Sequence, residues 1–214
     1  KLMGESGIVC PEPWMDRREA HPMEPDRTMY VDVSGTRLYC ETFGKGTPLV
    51  CLHGGLGINR AYLKAPGILG LTTSNHEVVF YDQRGHGYSG RSDTESYTHL
   101  NWVNDLHELS RVLGYERFSL FGHSYGGFLA IQYALTWPDS LERLILVGTS
   151  AGPVSIGAIP EVRSDADLKM IFKAQWSSYF WGSNKHWDVF EGIDFSLDPF
   201  LAAFQVELPA YDLR

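Results

Sequence analysis

Cysteine is scarce in this chain: Cys10, Cys40 and Cys51 are the only three. An odd number at wide spacing excludes a disulfide framework and zinc-type cysteine pairs. It points to a reducing, cytoplasmic setting. Long apolar runs are also missing. None reaches the ~20 residues that a bilayer-spanning helix requires, and the first residues lack the apolar core of a signal peptide. No Asn-x-Ser/Thr acceptor occurs. Basic runs are absent too: 18 Lys and Arg stand against 26 Asp and Glu, for a formal net charge of -8. That balance argues against a nucleic-acid or anionic-membrane surface, both of which need clustered cations.

What is present is an ordinary globular composition, 43% hydrophobic over 214 residues, enough for one large domain or a domain with an insertion. Residues 1–27, rich in proline and charge, read as an N-terminal arm that Trp14 and Met15 could anchor. Residues 28–152 read as the core. "MYVDV" and "RLYCETF" form a hairpin at Ser34-Gly35. "PLVCLHG", "HEVVFYDQRG", "RFSLFG" and "LERLILVGTS" read as strands buried on both faces. Residues 59–70 hold a short helix or an irregular segment. Residues 98–113 predict a helix, since Trp102, Leu106, Leu109 and Leu113 share a face, with Thr98 as N-cap and Gly114 closing the end. Residues 125–136 predict an apolar helix stopped by Trp137-Pro138. Strand and helix alternate from about residue 48 to 150, which argues for a three-layer α/β architecture with a mostly parallel sheet and an antiparallel hairpin at its edge. Residues 153–214, with Trp176, Trp181 and Trp187, read as a helical cap or lid.

"LFGHSYGGFLA" places Ser124 between a predicted strand and a predicted helix. A serine at the tip of so tight a turn takes a strained backbone conformation. Gly122 and Gly126 sit where side chains would crowd, and Gly127 lets the helix approach the sheet. The turn presents the hydroxyl as a nucleophile and aims the free N–H groups of the helix at it. "LHGGLG" ends an earlier strand. Its Gly55 N–H, with Leu56 in reserve, can join the Tyr125 N–H to bind a developing oxyanion. His53 in this loop reads as structural. So do Asp82, Arg84 and His86 of "YDQRGHGYSG", as a hydrogen-bonded turn. Cys51 reads as a buried thiol.

Taken together, "HGGLG", "YDQRGHGYSG" and "GHSYGG" resemble the α/β-hydrolase superfamily over roughly residues 29–155. The first two look like its proline iminopeptidase branch, which usually has proline where this chain has Leu56 and often glycine where it has His123. "GHSYGG" is equally similar to the esterase and lactonase branches. The resemblance implies a serine hydrolase with Ser124 as nucleophile, acting on a small ester, lactone or amide through an acyl-enzyme, with no metal or organic cofactor. It also implies an acid and a histidine after the cap. The only histidine after Ser124 is His186, in "SNKHWD" with Asp188 beside it. The triad acid and histidine are therefore expected outside this sequence, together with the C-terminal strands of the sheet. The strand at 142–148 is then expected to be an apolar edge that a partner chain or missing segment covers. The alternatives are a proline iminopeptidase-type aminopeptidase, with Glu161, Glu191 and Glu207 as candidate amine ligands, and a non-catalytic binding protein or inactive fragment.

Overall fold

Gly35 has φ 74°, the left-handed conformation that a two-residue hairpin turn needs. It joins β1 (Arg27–Val33) to β2 (Thr36–Gly44), with Val33 opposite Thr36. The computed structural model describes residues 24–55, 57–64, 66–152, 161–175 and 193–211. Within it the Asp26 N–H already donates to Thr42 O (2.9 Å). β1 begins at Arg27, which thus belongs to the sheet rather than to the arm. Trp14 and Met15 lie outside the described residues.

Four more strands follow: β3 (Thr47–Leu52), β4 (His76–Tyr81), β5 (Phe118–His123) and β6 (Leu141–Val147). The sheet order is β1-β2-β4-β3-β5-β6. β1, β2 and β4 pair antiparallel; β4, β3, β5 and β6 run parallel. Between β3 and β4 the chain makes two 3₁₀ turns, Arg60–Leu63 and Gly70–Ser74, around a single helical turn, α1 (Pro66–Leu69).

The alternation of side chains along each strand builds two cores. Val50 and Leu52 of β3 face one way, among Val79, Leu120, Trp102, Leu106, Leu129 and Tyr133. Leu49 and Cys51 face the other way, among Phe43, Val78, Phe80, Leu63 and Leu69. The first core is roofed by α2 (His99–Val112) and α3 (Tyr125–Thr136). Thr98 Oγ1 accepts the Asn101 N–H (3.2 Å), and Gly114, at φ 80°, ends α2 in the predicted place. Cys40 and Cys51 are free, buried thiols, and burial pushes Cys40 up to about 12.

After β6 the described chain is helical: α4 (Asp165–Gln175), then α5 (Leu197–Leu201), a wider π-helical stretch Ala202–Glu207, and α6 (Leu208–Ala210). Leu168, Ile193, Phe195 and Phe200 gather over Ile58 in a third apolar cluster. Ala203, Leu208 and Tyr211 join the first core. Trp176, Trp181 and Trp187 lie outside the described residues.

β6 forms where its sequence predicts and lies as the apolar edge expected of it, although its composition is that of a strand buried on both faces. Leu144, Ile145, Leu146 and Val147 are 38%, 37%, 40% and 43% exposed. The reason is its place: among the described residues β6 pairs only with β5 and is an edge of the sheet. Substituting Ile145→Lys puts a charge on this edge. It is expected to lower concentration-dependent light scattering and dye binding of the isolated chain. Scattering that is unchanged by the lysine would mean that the edge does not drive association.

Candidate active site

Ser124 joins β5 to α3 with φ 52° and ψ -120°, a combination that non-glycine residues rarely adopt. The ladder holds it there. Ser124 N–H donates to Val147 O (2.9 Å), and Gly127 N–H donates to Ser124 O (2.9 Å). The side chain is half-buried, and its hydroxyl makes no hydrogen bond to a described residue.

The glycines have separate reasons. A Cβ on Gly122 would lie 2.7 Å from Gly126 O and 2.8 Å from Ala130 Cβ. A Cβ on Gly126 would lie 2.5 Å from Leu52 O, so its constraint comes from β3 rather than from Gly122. One on Gly127 would lie 2.5 Å from the Thr149 side chain, just beyond β6. Sequence reasoning missed Gly54. A Cβ there would fall on the His123 carbonyl and 2.8 Å from Ser124 Cβ. The loop after β3 is therefore pressed directly against the serine.

That contact sorts the available donors. Gly54 N–H is already committed to Tyr62 Oη (2.6 Å), and the Tyr62 hydroxyl meets His123 Nδ1 (2.8 Å). Gly55, at φ 74°, makes no hydrogen bond through its N–H among the described residues. Tyr125 opens α3, so its N–H has no partner within the helix. Leu56, the reserve donor, lies outside the described residues, as do His186 and Asp188.

Beneath the loop lies a buried polar frame. His53 Nε2 accepts from Gln83 N–H (3.0 Å), its Nδ1 faces Gly54 O (3.2 Å), and Gln83 Nε2 donates to His53 O (2.6 Å). His86 Nε2 accepts from Gly57 N–H (3.2 Å), and its Nδ1 faces Arg84 O (3.0 Å). Burial pushes both imidazoles down to about 3, so each is neutral at pH 7 and each ring nitrogen is occupied. Neither ring is placed to carry a proton. Asp82 accepts from the Arg60 N–H (3.0 Å), Arg60 Nη1 (2.6 Å) and the Tyr88 N–H (2.9 Å). The turn is hydrogen-bonded, as its sequence predicts.

Three members of this frame escaped sequence reasoning. Arg60 reaches Glu41 Oε1 through Nη2 (2.5 Å) and lies over the Tyr39 ring at 4.1 Å. Nothing local marks either residue, because they are far apart in the chain. Asp105 binds Arg84 through both oxygens (2.9 and 2.6 Å). Asp105 did leave a signal: a carboxylate three residues after Trp102, on the apolar stripe of α2, needs a buried partner.

Two outcomes follow. A folded chain resists protonating His53 and His86 until about pH 3, whereas an unfolded one accepts those protons near pH 6.5. Stability is therefore complete above pH 6.5 and falls as pH drops, by about 1.4 kcal/mol per pH unit and per ring. Urea midpoints at pH 7 and pH 5 check this; equal midpoints would refute it. Gly126→Ala forces a methyl onto the Leu52 carbonyl and is expected to cost about 1–3 kcal/mol in the same assay.

Over 129 residues the chain is 33% identical to a proline iminopeptidase of Lactobacillus delbrueckii subsp. bulgaricus, covering 57% of this chain and 43% of that one. It is 38% identical over 133 residues to a proline iminopeptidase of Saccharolobus solfataricus, covering 59% and 42%. It thus spans less than half the length of these curated relatives. Among solved structures, an esterase from Exiguobacterium antarcticum superposes with a TM-score of 0.66 at 21% identity, over 88% of this chain and 75% of that one. A family model described as alpha/beta hydrolase fold matches residues 47–188. That stretch contains the glycine loop, the buried turn and the serine elbow, and the chain belongs to the alpha/beta hydrolase fold family.

Proposed function

We propose that the chain carries the nucleophile and oxyanion site of a serine hydrolase acting on a small ester, lactone or amide. Ser124 attacks the carbonyl and forms an acyl-enzyme. The N–H groups of Tyr125 and Gly55 receive the oxyanion, whose charge grows as the carbonyl turns tetrahedral. The observation that carries this reading is the strained Ser124 backbone, with Gly54 packed against its Cβ. Strain of this kind costs about 1–3 kcal/mol and is kept where a site needs it. The proton acceptor is expected outside the described residues. Without it serine is a weak nucleophile, and oxyanion binding alone supports only residual turnover.

The relatives favour a second reading, an aminopeptidase that removes N-terminal proline. Such an enzyme needs a free carboxylate for the substrate amine. Glu161 is exposed and pairs with Arg163 (2.8 Å), away from the buried elbow, and Glu207 Oε2 accepts the His99 N–H (2.6 Å). Glu191 lies outside the described residues. The ester reading is therefore placed first.

A fluorophosphonate probe is expected to label the folded protein once, at Ser124, slowly where no proton acceptor is supplied, and Ser124→Ala to abolish labelling. Folded protein that resists the probe would leave the non-catalytic binding role in place of both enzyme readings. Unlabelled protein from the same preparation is then offered a short aryl ester and a proline arylamide. Faster ester turnover supports the first reading, and faster arylamide turnover the second.

A further inference from the structure

The segment from Ile193 to Tyr211 is tied down at two places. At its start, Asp194 Oδ2 accepts from Asn59 Nδ2 (3.2 Å), and the Ser196 N–H donates to Gly57 O (2.7 Å). Phe195 forms a β-bridge with Ile58. These contacts fix the loop that carries Gly55. At its far end, Glu207 Oε2 accepts the His99 N–H (2.6 Å) and lies 3.5 Å from His99 Nδ1. The Tyr211 ring meets those of His99 (5.5 Å) and Phe128 (4.7 Å).

His99 is the first residue of α2, and its N–H is one of the donors that a helix leaves unpaired. Thr98 serves the Asn101 N–H. Glu207 serves His99, and its negative charge sits at the positive end of the helix. The His99 ring in turn packs against Tyr125 at 5.4 Å, and Trp102 closes on Tyr125 edge-on at 5.8 Å. His99 and Tyr125 are both more than nine-tenths buried. Tyr125 cannot shift without moving them, and its backbone follows Ser124 directly.

We propose that Glu207 is a positioning residue: by clamping the start of α2 it holds the His99 ring against Tyr125, and so fixes the Tyr125 N–H, which follows Ser124 directly. The segment that bears it fastens the Gly55 loop at its other end, so one strap sets the spacing of both oxyanion donors. This assignment of the donors rests on the serine hydrolase reading. The clamp itself is a matter of geometry. Burial pushes the His99 imidazole down to about 4, so at pH 7 the ring is neutral and Glu207 holds His99 by the backbone N–H rather than by an ion pair.

The test compares wild type, Glu207→Ala and Glu207→Gln by two readouts. One is the rate of fluorophosphonate labelling at Ser124. The other is hydrogen exchange in peptides covering residues 121–128, with residues 27–44 as the internal reference. Alanine is expected to slow labelling about tenfold, equivalent to about 1.4 kcal/mol at the barrier, and to speed exchange at 121–128 alone. Glutamine keeps an acceptor oxygen for the His99 N–H and is expected to restore both. Wild-type behaviour of the alanine variant in both readouts overturns the clamp. So does equal damage by alanine and glutamine, which would point to charge rather than to the acceptor. If wild type is folded yet unlabelled, the hydrolase reading fails, and exchange at 121–128 still decides the clamp.

Discussion

The architecture around Ser124 depends on one unfavourable backbone conformation. A serine at φ 52° and ψ -120° does not persist in an isolated peptide. It persists here because four pieces of chain close on it. β6 takes its N–H, the first turn of α3 takes its carbonyl, β3 leaves no room at Gly126, and Gly54 presses from the front. Each of the last two contacts works only without a side chain. The glycine pattern is thus a consequence of crowding by specific neighbours, and the turn is determined by the sheet as much as by its own residues.

The pressure from Gly54 has to be opposed from below, and the buried frame does this. Asp82, Arg60 and Glu41 form a chain of charges almost wholly removed from water. Such groups contribute little net stability, because desolvation consumes most of the attraction. Their value is geometric. The Arg60 N–H and guanidinium both bind Asp82, which fixes the segment after the glycine loop relative to the turn after β4. His53 and His86 complete the tie between the same two loops while remaining uncharged. Neutral rings with both nitrogens occupied hold their partners over a broad range of pH above their depressed titration points. This explains why histidines so near a nucleophile serve as struts.

Much of this was legible in the chain. The helix at 99–112 follows from the spacing of Trp102, Leu106 and Leu109, and its cap from Thr98. The elbow follows from glycines set between an apolar strand and an apolar helix. What could not be read is whatever depends on distant residues. The insertion of β4 between β2 and β3 is a choice among strand orders, and local pattern carries no trace of it. The same holds for Arg60 meeting Glu41, and for Glu207 meeting His99 across 108 positions. Gly54 was overlooked because φ is what usually marks a glycine, whereas here the constraint is an approach between two backbones.

The two edges of the sheet differ in kind. β1 is built as an edge: its outward positions carry Arg27, Thr28, Asp32 and the half-exposed Tyr30, and its apolar Val31 and Val33 turn inward. Charges of this sort discourage further pairing. β6 has the composition of an interior strand. Its "LILV" matches the "LVCL" of β3 and the "VVFY" of β4, whose residues are buried on both faces. Four consecutive apolar side chains, open to both sides, do not suit a boundary with water, since alternation is what lets a strand keep one face wet. The exposure of β6 therefore reflects its position rather than its sequence. Among the described residues nothing pairs with its outer side, while the strands it matches in composition are covered on both faces.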